Sequence, residues 1–86
     1  MNCPRTFHYE AVLKSIDPSR NRAREYRVEV SPTLFGYHLR TWRGRIGARL
    51  RKRDAVYPDV EDVLQELADI LRRRIDHGYL FTDHDD

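Results

Sequence analysis

The stretch Thr41-Trp42-Arg43-Gly44-Arg45-Ile46-Gly47 puts the chain's one tryptophan, two of its four glycines and two of its arginines into seven consecutive positions. It reads as the end of one strand, a turn at Gly47-Ala48 and, beyond it, a second strand whose first residues are again basic. A hairpin flanked by arginines, with an aromatic ring beside them, has the chemistry of a surface that meets phosphate. Planar guanidinium forks suit the oxygens, and a flat π-face suits a base or sugar. The competing reading puts Trp42 in the core and leaves the arginines as a solvated face.

Working outward on the N-terminal side, Tyr37 to Arg43 reads as a strand in which Leu39 lies three positions from Trp42. Odd separation sends two strand side chains to opposite faces. With Leu39 toward the core, Trp42 joins His38 and Arg40 on the outer face, unless a bulge, for which Gly44 is a natural place, intervenes. On the C-terminal side, Gly47-Ala48 has the form of a two-residue hairpin turn. Arg49 to Tyr57 then reads as a strand with Leu50 and Val56 inward. Its run Arg49-Leu50-Arg51-Lys52-Arg53 is too basic to be buried on both faces, so one side must meet water or a polyanion.

Further out, Phe7, Tyr9, Ala11 and Leu13 alternate through Phe7 to Ile16, and Tyr26, Val28 and Val30 alternate through Glu25 to Ser31. Both are half-buried strand patterns. Between them Asp17-Pro18-Ser19-Arg20-Asn21 supplies turn residues: Pro18 presets φ, while Asp17 and Asn21 can bond neighbouring amides. Pro32 is expected to end the second strand. Leu34 and Phe35 in the following connection are expected to lid the core. Pro58-Asp59 changes the period. Asp59 and Asp62 resemble a helix start, and Val60, Val63, Leu64, Leu67, Ile70, Leu71 and Ile75 form one apolar stripe ending before Gly78. Arg72-Arg73-Arg74 then complements the helix dipole, and Tyr79-Leu80-Phe81 is placed to dock back on the sheet.

The fold expected is therefore α+β: an antiparallel sheet of about four strands with one C-terminal helix packed on one face. It forms a single domain over residues 1–86, with 1–6 and 82–86 as loose tails. The 86 residues leave no room for a second domain. The longest apolar run is three residues, too short for a membrane span or a secretory leader, and the lone Cys3 cannot close an internal disulfide. The cytoplasm is the default expectation.

The net charge of +2 hides an asymmetry. Residues 1–53 hold thirteen Lys or Arg against four Asp or Glu, whereas residues 54–86 hold three against ten. Two electrostatic faces are expected if these parts fold into different layers.

Other chemistry finds no pattern. His8, His38, His77, His84 and Cys3 match no metal-ligand spacing. Gly44-Arg45-Ile46-Gly47 lacks the length and lysine of a phosphate loop, and no serine or cysteine sits in a nucleophile elbow. No enzyme activity, cofactor or metal is expected. The carboxylates Asp59, Glu61, Asp62, Glu66 and Asp69 read as a solvated helix face partnering Arg72 or Arg73.

Taken together, Ile16-Asp17-Pro18-Ser19-Arg20-Asn21, Tyr26 to Val30, Ser31-Pro32-Thr33-Leu34-Phe35-Gly36, Trp42 with Gly44-Arg45-Ile46-Gly47, the single helix and Gly78-Tyr79 closely resemble the WGR domain family. The similarity covers Ile16 to Tyr79, as in a stand-alone bacterial WGR protein. It implies an antiparallel sheet crossed by one helix, and a nucleic-acid-binding role. In poly(ADP-ribose) polymerases the module helps hold a DNA break, the motif tryptophan packing on the terminal nucleotide and the motif arginine lying beside the interface. Arg45 carries over onto the motif arginine. The family writes Trp-Gly-Arg, however, and here Arg43 separates Trp42 from Gly44. Either Arg43 is an insertion absorbed as a bulge, or it replaces the tryptophan.

The expected function is a small non-enzymatic module binding DNA backbone or DNA ends, with DNA favoured over RNA and weak sequence preference, through Arg40, Trp42, Arg43, Arg45, Arg49, Arg51, Lys52 and Arg53. This basic surface is expected opposite the helix or at its hairpin edge. The alternative is a protein-interaction adaptor whose basic hairpin meets an acidic partner.

Overall fold

In the computed structural model, which describes residues 7–82, the alternating segments become long antiparallel strands. They are β1 (Tyr9–Asp17), β2 (Arg22–Thr33), β3 (Gly36–Arg45) and β4 (Arg51–Tyr57), followed by helix α1 (Val60–Asp76) and a short β5 (Leu80–Phe81). The sheet order is β4-β3-β2-β1-β5, so each of the first four strands pairs with its sequence neighbour and β5 closes the far edge against β1. The fifth strand comes from the segment expected to dock back. Residues 1–6 and 83–86, with Cys3 and His84, lie outside the described residues. Thr82 is not a loose end: its amide and hydroxyl both donate to the Val12 carbonyl at 3.0 Å.

Parity explains the core. Leu13 pairs with Tyr26, Val28 with Thr41 and Val30 with Leu39. All six are buried on the face covered by Val63, Leu67 and Ile70 of α1. Val60 and Leu71 pack at the margin of this core, whereas Leu64 and Ile75, counted in the stripe, are largely exposed. Buried Tyr79 completes the cluster, edge-on to Tyr26.

The turns follow their residue chemistry with some departures. A 3₁₀ turn over Pro18–Arg20 joins β1 to β2, where the Asp17 carboxylate accepts from the Ser19 amide at 3.2 Å and Asn21 is left-handed. β2 continues past Pro32 to Thr33. β1 pairs no further than Tyr9 with Val30, so Pro32 has only β3 beside it and its missing N–H does not stop the strand. Leu34 and Phe35 form the tip of the next hairpin and are 90% and 84% exposed, so they do not lid the core. Gly36 is required there at φ +151°, because a Cβ would run into the Tyr57 carbonyl and Pro58.

The β3–β4 connection is residues 46–50, longer than the expected two-residue turn, and β4 begins at Arg51. This resets its parity: Ala55 and Tyr57 align with Leu39 and Tyr37 on the core side, and Val56 faces out. Leu50, also expected inward, lies outside the strand. Helix α1 starts after Asp59, whose side chain makes no cap hydrogen bond. It ends in a Schellman motif: Tyr79 N–H donates to the Arg74 carbonyl and Gly78 N–H to that of Ile75, with Gly78 at φ +90°. No helix among the described residues is long and apolar enough to cross a membrane.

Candidate nucleic-acid interface

The basic residues are sorted by the same parity that builds the core. Beyond its apolar centre, the helix-side face of the sheet continues into Arg24 opposite Arg45, Arg43 opposite both Tyr26 and Arg51, and Arg53 opposite Thr41. Like charges directly across a ladder repel. Yet among the described residues no carboxylate forms an ion pair with Arg24, Arg43, Arg45, Arg51 or Arg53. Arg45 instead donates to the backbone carbonyl and side-chain oxygen of Asn21, at 3.4 and 3.3 Å. That contact fastens the end of β3 to the β1–β2 turn.

The outer face has a different character. There Arg27 holds Glu25 at 2.6 Å, Arg40 holds Glu29 at 3.3 Å, and His38 and Lys52 reach Asp54 at 3.1 and 4.0 Å. Trp42 lies on this face, as its odd spacing from Leu39 requires, half-buried between Arg27 and Lys52 in the register. The Lys52 ammonium is 5.8 Å from the indole centroid.

The eight candidate residues therefore divide. Arg43, Arg45, Arg51 and Arg53 share the helix-side face; Arg40, Trp42 and Lys52 lie on the ion-paired face; Arg49 is exposed in the connection between β3 and β4. Arg43, Arg45, Arg51 and Arg53 therefore lie on the helix side of the sheet, not opposite it, and Trp42 lies on the other side. The reason is the unbroken ladder from Gly36 to Arg45, in which every residue has one partner and no bulge occurs at Gly44.

Two clefts are lined largely by arginines. One, of about 330 Å³, lies between α1 and strands β3 and β4, with Arg43, Arg51 and Arg53 on the sheet side and Arg73 and Arg74 on the helix side. The other, about 220 Å³, is bounded by Arg20, Asn21, Arg22, Arg24 and Arg45. The sequence reading missed Arg20, Arg22, Arg24, Arg73 and Arg74. Carrying the inward parity of Tyr26 back by twos reaches Arg24 and Arg22, so that pair was within reach.

Arg74 is more than a dipole complement. Its guanidinium stacks over Tyr26 at 4.8 Å and Tyr79 at 5.5 Å. Arg72 does partner Asp69, at 3.4 Å. Burial, then the Glu66 carboxylate, push the Tyr57 phenol above its ordinary pKa against the opposing pull of Arg53. On the ion-paired face, His8, Glu10 and Glu29 bring potential ligand atoms within 4.8 Å of one another, although Glu29 is already held by Arg40.

The WGR domain model matches residues 9–85. The chain belongs to the WGR domain family. It is 37% identical over 73 residues to an uncharacterized protein, y4dW, of Sinorhizobium fredii, covering 83% of this chain and 35% of that relative. This WGR chain thus spans about a third of the length of the relative. No solved structure matches it. WGR is a binding module rather than a catalytic one, and in poly(ADP-ribose) polymerases it binds nucleic acid.

Proposed function

We propose that this WGR domain binds DNA, ahead of RNA, through the arginine-rich end of its helix-side face, gripping phosphates rather than reading bases. The observation that carries this reading is the placement of Arg24 opposite Arg45 and Arg43 opposite Arg51 across the ladders, with no described carboxylate in an ion pair with any of them. Such an arrangement costs the fold electrostatic repulsion, and a polyanion relieves it. Guanidinium groups on phosphates carry no base code, so sequence preference is weak.

The unbroken β3 ladder supports a further assignment. Trp-Gly-Arg places its first and third side chains on one strand face, and of Trp42 and Arg43 it is Arg43 that shares a face with Arg45. Arg43 then stands at the motif tryptophan's position, so a cation replaces a stacking ring.

The test is titration of a 16-base-pair duplex at several salt concentrations. Four phosphate contacts give a slope of log K against log salt of about −3.6. Arg45→Ala should reduce its magnitude by about one. A flat dependence excludes phosphate neutralisation.

A further inference from the structure

We infer that the cleft between α1 and strands β3 and β4 takes a single unpaired nucleic-acid strand, so that the domain holds a duplex carrying an overhang more tightly than a blunt one. This rests on the phosphate-binding reading above and goes beyond it by naming the form of nucleic acid the cleft accepts.

The argument begins with where the cations stand. A duplex carries its phosphates on the outside of a wide rod and is met by charges on an open surface. The guanidinium groups of Arg43, Arg51 and Arg53 instead border a cleft whose opposite side is α1, bearing Arg73 and Arg74. At about 330 Å³ the space is at the lower end of the roughly 300 to 1,000 Å³ typical of ligand pockets. It has room for a nucleotide of one strand and none for paired strands.

The lining chemistry agrees. Leu39 and Ile70 give the cleft an apolar part, and the half-buried Tyr57 ring contributes aromatic surface beside Tyr26, which is buried beneath the Arg74 guanidinium. Unpaired bases use such surfaces, whereas paired bases are already stacked on one another. Asp54 and Glu66 also line the space. Asp54 is engaged by His38 at 3.1 Å and Lys52 at 4.0 Å, so it does little to neutralise the five arginines. The second cleft shares no lining residue with this one, which makes it an internal control.

The experiment compares fluorescein-labelled probes at one low salt concentration: a blunt 16-base-pair duplex, the same duplex with a five-nucleotide 3′ overhang, and the same duplex with a 5′ overhang. At least one overhang should bind about tenfold more tightly than the blunt form, the order of one stacked base. Arg73→Ala should bring that ratio toward one, with circular dichroism checking that the variant is folded. Arg24→Ala, in the other cleft, should weaken all three probes by a common factor. Equal affinity for blunt and both overhanging probes in the unsubstituted protein overturns the single-strand inference while leaving phosphate binding intact. Failure to bind any probe at low salt overturns both.

Discussion

Arg43 on β3 and Arg51 on β4 stand directly opposite each other in the antiparallel ladder, two positive charges on adjacent strands with no described carboxylate ion-paired to either. Replacing one with an acid converts repulsion into attraction, and cross-strand charge pairs are worth roughly 0.2 to 1 kcal/mol. Arg51→Glu should therefore raise the unfolding free energy by an amount within that range, seen as a higher urea midpoint, while weakening duplex binding and reducing the magnitude of its salt slope by at least about one. Stability and binding moving in opposite directions is the signature of a charge pair kept for a ligand. A variant that loses both has a disturbed strand instead.

Gly36 opens β3 where the hairpin tip passes the corner between β4 and α1. At φ +151°, with the Tyr57 carbonyl and Pro58 in the path of any Cβ, alanine there meets unfavourable backbone geometry and a collision with main chain. Gly36→Ala should cost about 2 kcal/mol or more in chemical denaturation. Gly47→Ala, at φ +88° with nothing within 4 Å of the added Cβ, should cost less, since backbone strain is its sole penalty. Equal losses at the two positions would show that the collision contributes nothing.

The fold was legible where one period ran without interruption. Tyr26, Val28 and Val30, and the stripe through Val63, Leu67 and Ile70, announced a strand and a helix because both bury one continuous face. What failed was the length of the connection before β4. A turn longer than two residues moves the start of the strand, and one residue of slip exchanges its faces. Val56 was turned outward and Ala55 inward by that alone. The candidate site divided for a different reason. Arg40, Trp42 and Lys52 are close in sequence to Arg43, Arg45 and Arg51, yet a strand places neighbours on opposite faces. Arg73 and Arg74 belong to the cleft only because α1 returns across the sheet, a distance relation that no local pattern carries.

Tyr57 gives a prediction on alkaline pH. Its pKa in the folded protein is raised, first by burial and then by Glu66, so the folded state keeps the phenolic proton that the unfolded chain releases near pH 10. Above that pH the unfolded state binds fewer protons than the native one, and stability falls as pH rises until the folded phenol also ionises. Thermal melting of the unsubstituted protein and of Tyr57→Phe, followed from pH 8 to 11, should show the steeper decline in the protein that retains the hydroxyl. Parallel curves would show that Tyr57 titrates alike in both states.

Trp42 supplies a label already in place, since it is the chain's one tryptophan. It lies on the face where Arg27, Arg40 and Lys52 are ion-paired to carboxylates, away from Arg43 and Arg45 across the thickness of the sheet. A base stacking on an indole quenches its emission strongly, whereas a strand held on the opposite side of the sheet leaves it untouched. Saturating the protein with duplex, followed independently by anisotropy of a labelled oligonucleotide, should therefore leave the intensity and the maximum of Trp42 emission nearly unchanged. In the same titration Arg43→Ala should weaken binding more than Trp42→Ala, because Arg43 shares the sheet face of Arg45 and Trp42 does not. Strong quenching that tracks the binding isotherm, with Trp42→Ala the weaker binder, would return the indole to the interface and move the nucleic acid to the outer face of the sheet.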